Sequence, residues 1–359
     1  MRILSLPLVI TRAIFANFKL EELLFLSFCS KRFNYLIQSI QGHRLKQIKT
    51  ITYIFSVGKV CISAETLFSL TLSEVNHGIT QMGVWKPLHC YSSYIYDKKE
   101  RDYIIRGVHS CIQKFFGPSI LYRVISENVL PTSLENIRSS SLKLPENTKP
   151  EELEACFENS PNQINIKLEG HLNGNLCSDS VIYEARNLDV DCFRIRESEI
   201  LLHFKGEHLR CTNTFLYNPE IVEFLNAWNS DQRSENLKFL AIHSHFDFDK
   251  DQILGKVYHK SLNPPEFIKW NIRHGNRENN ITTTSGEYLI RESDGEKAYV
   301  IITQVSVHLA VYGSTGGHNC FQMFFFFVYN LDSAQLLSEK NKDSAGNLDK
   351  SYDGKFNVG

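Results

Sequence analysis

The chain has 359 residues, of which 42% are hydrophobic and 22% charged. Thirty-nine Lys and Arg face 40 Asp and Glu, a formal net charge of -1. That length predicts about two domains, and the charge balance gives no electrostatic basis for binding nucleic acid or an anionic membrane through the chain as a whole.

Nine cysteines, at 29, 61, 90, 111, 156, 177, 192, 211 and 320, are odd in number, scattered and without a CxxC pair. A secreted disulfide framework is denser and usually even. They are read as reduced, mostly buried thiols, which predicts a cytoplasmic or nuclear protein. Arg2 and the run Ile3–Ile10 have the outline of a signal peptide, but Arg12 interrupts it and a helical pattern runs on, so none is expected. The apolar run at 320–329 has about half the length a bilayer crossing needs. The sequon Asn280-Ile281-Thr282 is weak by itself.

The stretch "LPLVITRAIFANFKLEELLFLSFCSKRFNYLI", Leu6 to Ile37, is the first strong signal. Pro7 suits a first helical turn. Val9, Ile10, Ala13, Ile14 and Phe18 recur at helical spacing, then Leu20, Leu23, Leu24 and Phe28. Ser30 is placed to cap a third helix with Phe33, Leu36 and Ile37 on its apolar side. Three short helices are expected, ending near Gly42. Phe15, Phe25, Leu26 and Tyr35 lie off these stripes. A unit of about 40 residues cannot enclose so much apolar surface. The remainder must meet the rest of the chain or another protein.

"LPLVITRAI" followed by "ELLFLSFCSKRF" resembles an F-box. Leu6, Pro7, Val9, Ile10, Ile14, Leu23, Leu24, Leu26, Cys29, Lys31, Arg32 and Phe33 fall on the positions of that pattern. Leu8 stands where an acidic residue is frequent, and Phe33 where Trp is common. The resemblance implies docking on the Skp-type subunit of a cullin–RING ubiquitin ligase. It makes Leu6, Pro7, Val9, Ile10, Ile14, Leu23 and Leu24 the adaptor-binding face and its support.

Further on, "KTITYIFSVGKVCISA" reads as two strands around Gly58. In 101–116, Ile104, Ile105, Val108, Cys111, Ile112, Phe115 and Phe116 keep one helical face, stopped by Gly117 and Pro118. "SILYRVI" reads as a strand. Residues 131–163, rich in Pro and Ser, read as a loop or linker, with a helical turn in "KPEELEACFE". "EILLHFKGEHLRCTNTFLY" reads as two strands around Gly206, "NPEIVEFLNAWN" as a helix and "NLKFLAIHSH" as a strand. "EYLIRESDGEKAYVIIT" reads as a hairpin turning at Asp294-Gly295, and 304–329 as a second hairpin around a Gly-rich tip. Residues 338–359 are expected to be a disordered tail. A helix followed by a strand recurs at 101–125 and 219–245, a hint of stacked αβ units.

"FLNAW", "ENLKFLAI" and "DQILGKV" resemble the F-box-associated domain of the type expanded in nematodes, through Phe224, Leu225, Trp228, Leu237, Leu240, Leu254 and Gly255. Ile290, Arg291, Asp294 and Gly295 continue the likeness, which spans about 210–302. Asn229 replaces a usual Ile, and Gly255-Lys256 reverses a common order.

Chemistry is sparse. "HSHFDFDKD" offers His243, His245 and Asp247 as metal ligands, with Asp249 and Asp251 beyond. A calcium loop needs Gly and Glu where Gln252 and Tyr258 stand, and zinc needs further ligands in space. His203, His208 and Cys211 match no zinc spacing. Cys29, in an apolar helix, reads as a packed thiol. "GSTGG" at 313–317 lacks the Lys-Ser/Thr of a phosphate loop. No nucleophile–base set is evident.

The expected fold class is α+β: a three-helix F-box at 1–42, an αβ segment at 43–130, a linker at 131–163, a β-rich substrate-binding domain at 164–337 and the tail. The expected function is that of a non-catalytic adaptor without cofactor. Its partners would be the Skp-type subunit and through it a cullin, and a target protein, but neither nucleic acid nor membrane. The alternatives are a metal-dependent enzyme using His243, His245 and Asp247, or an F-box scaffold acting outside a ligase.

Overall fold

The computed structural model describes residues 6–64, 68–75, 92–193, 197–230, 235–274, 277–312 and 320–323. The chain forms two compact units, one of residues 1–259 with 289–313, the other of 260–288 with 314–359.

The first unit opens with α1 (Leu8–Ala16), α2 (Leu20–Cys29) and α3 (Lys31–Leu45). It continues with β1 (Thr50–Ser56), β2 (Lys59–Ala64), β3 (Phe68–Val75), β4 (Ser92–Asp97), α4 (Arg101–Phe116), β5 (Leu121–Glu127), β6 (Ile137–Lys143), α5 (Pro150–Ala155), β7 (Asn165–His171) and β8 (Asn187–Phe193). Then come α6 (Glu197–His203), β9 (His208–Thr214), α7 (Asn218–Asn229), β10 (Phe239–Ser244) and α8 (Lys250–Leu254). The second unit holds β11 (Lys260–His274) and β12 (Arg277–Ile290), whose last two residues lead back into the first, and β15 (Cys320–Met323). Between them in sequence, β13 (Lys297–Ile302) and β14 (Ser306–Tyr312) complete the first unit.

This is the mixed α+β class the hydropathy pattern implies, with three helices ahead of a β-rich body. In the first unit, β1, β5, β6, β7, β8, β9 and β10 lie side by side in chain order, all parallel. Parallel neighbours need a crossover, and α5, α6 and α7 supply it between β6 and β7, β8 and β9, and β9 and β10. The hint of stacked αβ units thus becomes a series. An antiparallel meander β1-β2-β3 flanks one side and β14-β13 the other.

Strand alternation sorts the two faces. Ile166 and Leu168, Leu188 and Val190, Leu209 and Cys211, and Leu240 and Ile242 are buried in one core with Leu153, Phe157, Ile200, Phe204, Phe224, Leu225 and Trp228. The opposite face carries a polar ladder. Asn187 Nδ2 donates to Asn165 Oδ1 at 2.6 Å, and Asn187 Oδ1 lies 2.6 Å from His208 Nδ1. One position along, Lys167 pairs with Glu169, and Arg210 stands 3.8 Å from Asp189.

Several expectations change. Residues 131–163 are not a linker: they contain β6 and α5 and bury Leu134, Ile137, Leu142, Leu144, Leu153 and Phe157. The first of the two strands read around Gly206 is α6, which buries Ile200 and Leu201, with Phe204, just past its end, buried as well. β15 pairs with β11, Lys269 opposite Cys320, instead of closing a hairpin on β14. α3 passes through Gly42 to Leu45. The Gly-rich tip at 313–319 and the tail at 338–359 lie outside the described residues.

Candidate functional site: the N-terminal helices

Each helix start has a local cause. Pro7 is the residue before α1, one place earlier than expected, and its carbonyl accepts the Thr11 N–H at 3.0 Å. The Glu22 carboxylate accepts the Lys19 N–H at 2.8 Å, tying off the start of α2. The Ser30 hydroxyl accepts from the N–H groups of Arg32 and Phe33 at 3.1 and 3.3 Å, so Ser30 caps α3 as its position predicts.

The packing then inverts the reading of α1. Its inward side is Thr11 and Phe15, both buried. Phe15, counted above as surplus, is fully enclosed, and the Arg44 guanidinium of α3 donates to the carbonyls of Phe15 (3.3 Å) and Phe18 (2.9 Å). Part of the predicted stripe points outward: Val9 is 78% exposed and Ile10 47%, with Ala13 exposed beside them, whereas Ile14 and Phe18 pack half-buried against the core; Leu8, off the stripe, is 52% exposed, and Pro7 is exposed too. Leu6 and Ile14 are half-buried at the margins.

Leu23 and Leu24 are fully buried, on the face of α2 that also buries Leu20 and Ser27. Of the residues named as the adaptor-binding set, these two are therefore not at the surface. Phe25 and Leu26 are half-buried against the core, whereas Tyr35 on α3 is exposed. The Gln38 amide of α3 donates to the carbonyls of Lys114 (2.6 Å) and Phe115 (3.0 Å) at the end of α4. The three helices are therefore fastened to the sheet-bearing body by one flank and leave α1 outermost.

The His/Asp segment does not assemble as read. β10 ends at Ser244, so the alternation stops between the two histidines. The His243 ring meets His308 at 5.3 Å, His245 lies over Phe215 at 5.2 Å, and Asp247 accepts from Gln304 at 2.9 Å. Asp249 caps α8 through the Gln252 N–H at 3.0 Å. Among the described residues, no three His, Cys, Asp or Glu side chains converge as a metal requires. Burial lowers the pKa of His243, and takes His308 down to about 4 with the help of His243 and Arg210.

One buried histidine carried no obvious signal in the sequence. His109 Nε2 lies 2.8 Å from the Glu135 carbonyl, which only accepts, so Nε2 bears the proton. Nδ1 then accepts from the Tyr53 hydroxyl at 2.8 Å. His109 sits four residues after Ile105 on the apolar face of α4, the one clue to its burial. It is a structural link between β1, α4 and the loop before β6.

Residues 3–45 match the family model of the F-box domain. No curated protein and no solved structure matches the chain. The N-terminal segment is thus an F-box domain, with α1–α3 as its three helices. Such domains bind Skp-type subunits within Skp–cullin–F-box complexes, which supports a general role for this chain in adaptors of that kind. Among the described residues, no helix is long and apolar enough to cross a membrane.

Proposed function

We propose that this protein is a non-catalytic substrate-recognition adaptor of a Skp–cullin–F-box ubiquitin ligase. The outward face of α1, with Pro7, Val9 and Ile10 at its centre and Leu6 and Ile14 at its margins, docks on the Skp-type subunit. Leu23 and Leu24 hold that face from beneath. The body behind it, including the segment that resembles an F-box-associated domain, holds a target protein. Ubiquitin transfer belongs to the partner subunits, and this chain contributes proximity. The protein works in the cytoplasm or nucleus and needs no cofactor.

One observation carries the reading: within a matched F-box domain, the most apolar side of α1 faces away from the protein's own core. An exposed apolar face is unfavourable in water and is stabilised by a partner. A specific interface of this sort buries on the order of 1,600 Å².

The test is co-purification of the full chain from cells. Wild type brings down both the Skp-type subunit and a cullin. The double variant Val9→Glu, Ile10→Glu brings down neither. Retrieval of the Skp-type subunit without a cullin would favour a scaffold outside a ligase.

A further inference from the structure

We propose that an aromatic patch at the ends of β9 and β10 is the docking site for an extended, arginine-bearing peptide segment. This deepens the adaptor reading by assigning the chemistry of the target contact, and it rests on that reading only for the target's fate.

The patch is built from three loops laid side by side. Thr214 and Ser244 are paired at the ends of the parallel strands β9 and β10. Beyond them the chain continues as Phe215-Leu216-Tyr217 and His245-Phe246-Asp247. The His245 N–H donates to the Thr214 carbonyl at 2.9 Å, and the Ser244 hydroxyl lies 3.2 Å from the Leu216 carbonyl. The turn between β13 and β14 joins them: the Ser244 N–H donates to the Val305 carbonyl at 3.0 Å, and the Phe248 N–H to that of Gln304 at 2.7 Å.

The side chains on this frame are aromatic and accessible. Tyr217 is 53% exposed and Phe215 43%. Tyr217 stacks on Phe246 at 4.4 Å and 21°. Phe215 lies edge-on to Phe246 at 5.8 Å and tilted over His245 at 5.2 Å. Val305, also exposed, extends the apolar surface.

Carboxylates surround it. Asp247 follows Phe246, and the Gln304 amide donates to it. The Asp249 N–H donates to Asn218, next to Tyr217, at 3.2 Å. The Glu220 carboxylate accepts the Tyr217 N–H at 2.8 Å. Asp251 follows on α8, and Lys250 is the basic residue of the same turn.

Two features select the occupant. Aromatic faces attract cations, guanidinium most readily because it also stacks. The carboxylates complement that charge and repel phosphate, which sets nucleic acid and anionic membrane aside. A peptide with an apolar or glycine residue beside each Arg can lie across the rings while the guanidinium reaches Asp247.

The test presents the full-length protein to an immobilised array of 12-residue peptides, each with Arg, Lys, Glu or Phe fixed at its centre and the other positions randomised. Wild type retains the Arg set best, and 0.5 M NaCl weakens it. Tyr217→Ala and, separately, Asp247→Asn each reduce retention about tenfold, with far-ultraviolet circular dichroism and the melting temperature unchanged. No retention, a preference for the Glu or Phe set, or Arg retention undiminished in both variants overturns the proposal. So does displacement of the peptides by single-stranded oligonucleotide in wild type but not in Tyr217→Ala. The same variants still capture the Skp-type subunit. Loss of that capture by Val9→Glu, Ile10→Glu leaves the array result untouched, so the two readings fail separately.

Discussion

The Arg291 guanidinium carbon lies 5.3 Å from the ring centre of Trp228, clamping α7 beneath the turn that leads into β13. Trp228 is fully buried and Arg291 nearly so. Arg291 also donates to the Glu235 carbonyl at 2.9 Å, to Asp294 at 3.1 and 2.5 Å, and to Glu296 at 2.9 Å. These contacts hold Asp294 below the usual carboxylate range. Asp294 is exposed enough that its pairing is screened, so most of the value of Arg291 is the stacked, hydrogen-bonded guanidinium.

Arg291→Ala is therefore expected to destabilise the protein by about 2 kcal/mol, read from urea unfolding. Arg291→Lys recovers less than half of this, because an ammonium cannot stack and donate in a fork at once. Full recovery by Lys would show that charge alone matters.

The pattern of apolar residues located most elements here, and its failures have physical causes. α7 was legible because Ile221, Phe224, Leu225 and Trp228 share a helical face behind Pro219. The α4 stop at Gly117 was legible because that residue has φ +88. β6 was missed because "IRSSSLK" has little strand propensity; pairing with β5 and β7 on both sides imposes the strand, and Ser160 Oγ takes the Ile137 N–H at 2.8 Å. β11 was missed because its two prolines break the pattern; they lie at the register shift between Ser261 and Glu266. In α1 the helix was legible but its direction was not. Periodicity shows that a stripe exists, and only packing shows whether it faces the core or solvent.

Gly206 illustrates a constraint of another kind. A Cβ there would lie 2.0 Å from the Ala185 carbonyl oxygen and 2.8 Å from that of Arg186. The backbone before β9 touches the backbone before β8, and the Lys205 and Glu207 N–H groups donate to Tyr183 and Arg186 across the contact. Gly206→Ala must push two strands apart. We expect a loss of more than about 3 kcal/mol or failure to accumulate as soluble protein, against little effect of Gly107→Ala, where nothing lies within 4 Å.

Burial lowers the pKa of His109 in the folded state. The unfolded chain then binds more protons than the folded one below the ordinary histidine value of about 6.5. The stability that neutral His109 contributes is complete above that pH and is lost as pH falls towards the folded value. The urea midpoint of wild type is expected to drop between pH 7.5 and 5.5, and that of His109→Gln to drop less. Equal slopes would remove His109 as the cause.

Asp189 acts with the opposite sign. Burial raises its pKa to about 6 despite Arg210 and Lys167. The folded state therefore holds the proton more tightly, and its contribution to stability is present below about pH 4 and lost as pH rises through about 6. Between pH 4 and 6 it opposes His308, whose folded pKa is about 4. Asp189→Asn removes this offset, so its unfolding midpoint should fall more steeply than wild type from pH 6 to 4.5. A shallower fall would contradict the assignment.

Binding of the purified Skp-type subunit to the full chain, measured by calorimetry alongside thermal unfolding, is the most direct test of the account. Val9 is the most exposed apolar residue of α1, so Val9→Glu should leave the melting temperature within about 2 °C of wild type. Affinity should fall at least about tenfold. Unchanged affinity in a variant that melts like wild type would contradict α1 as the docking face.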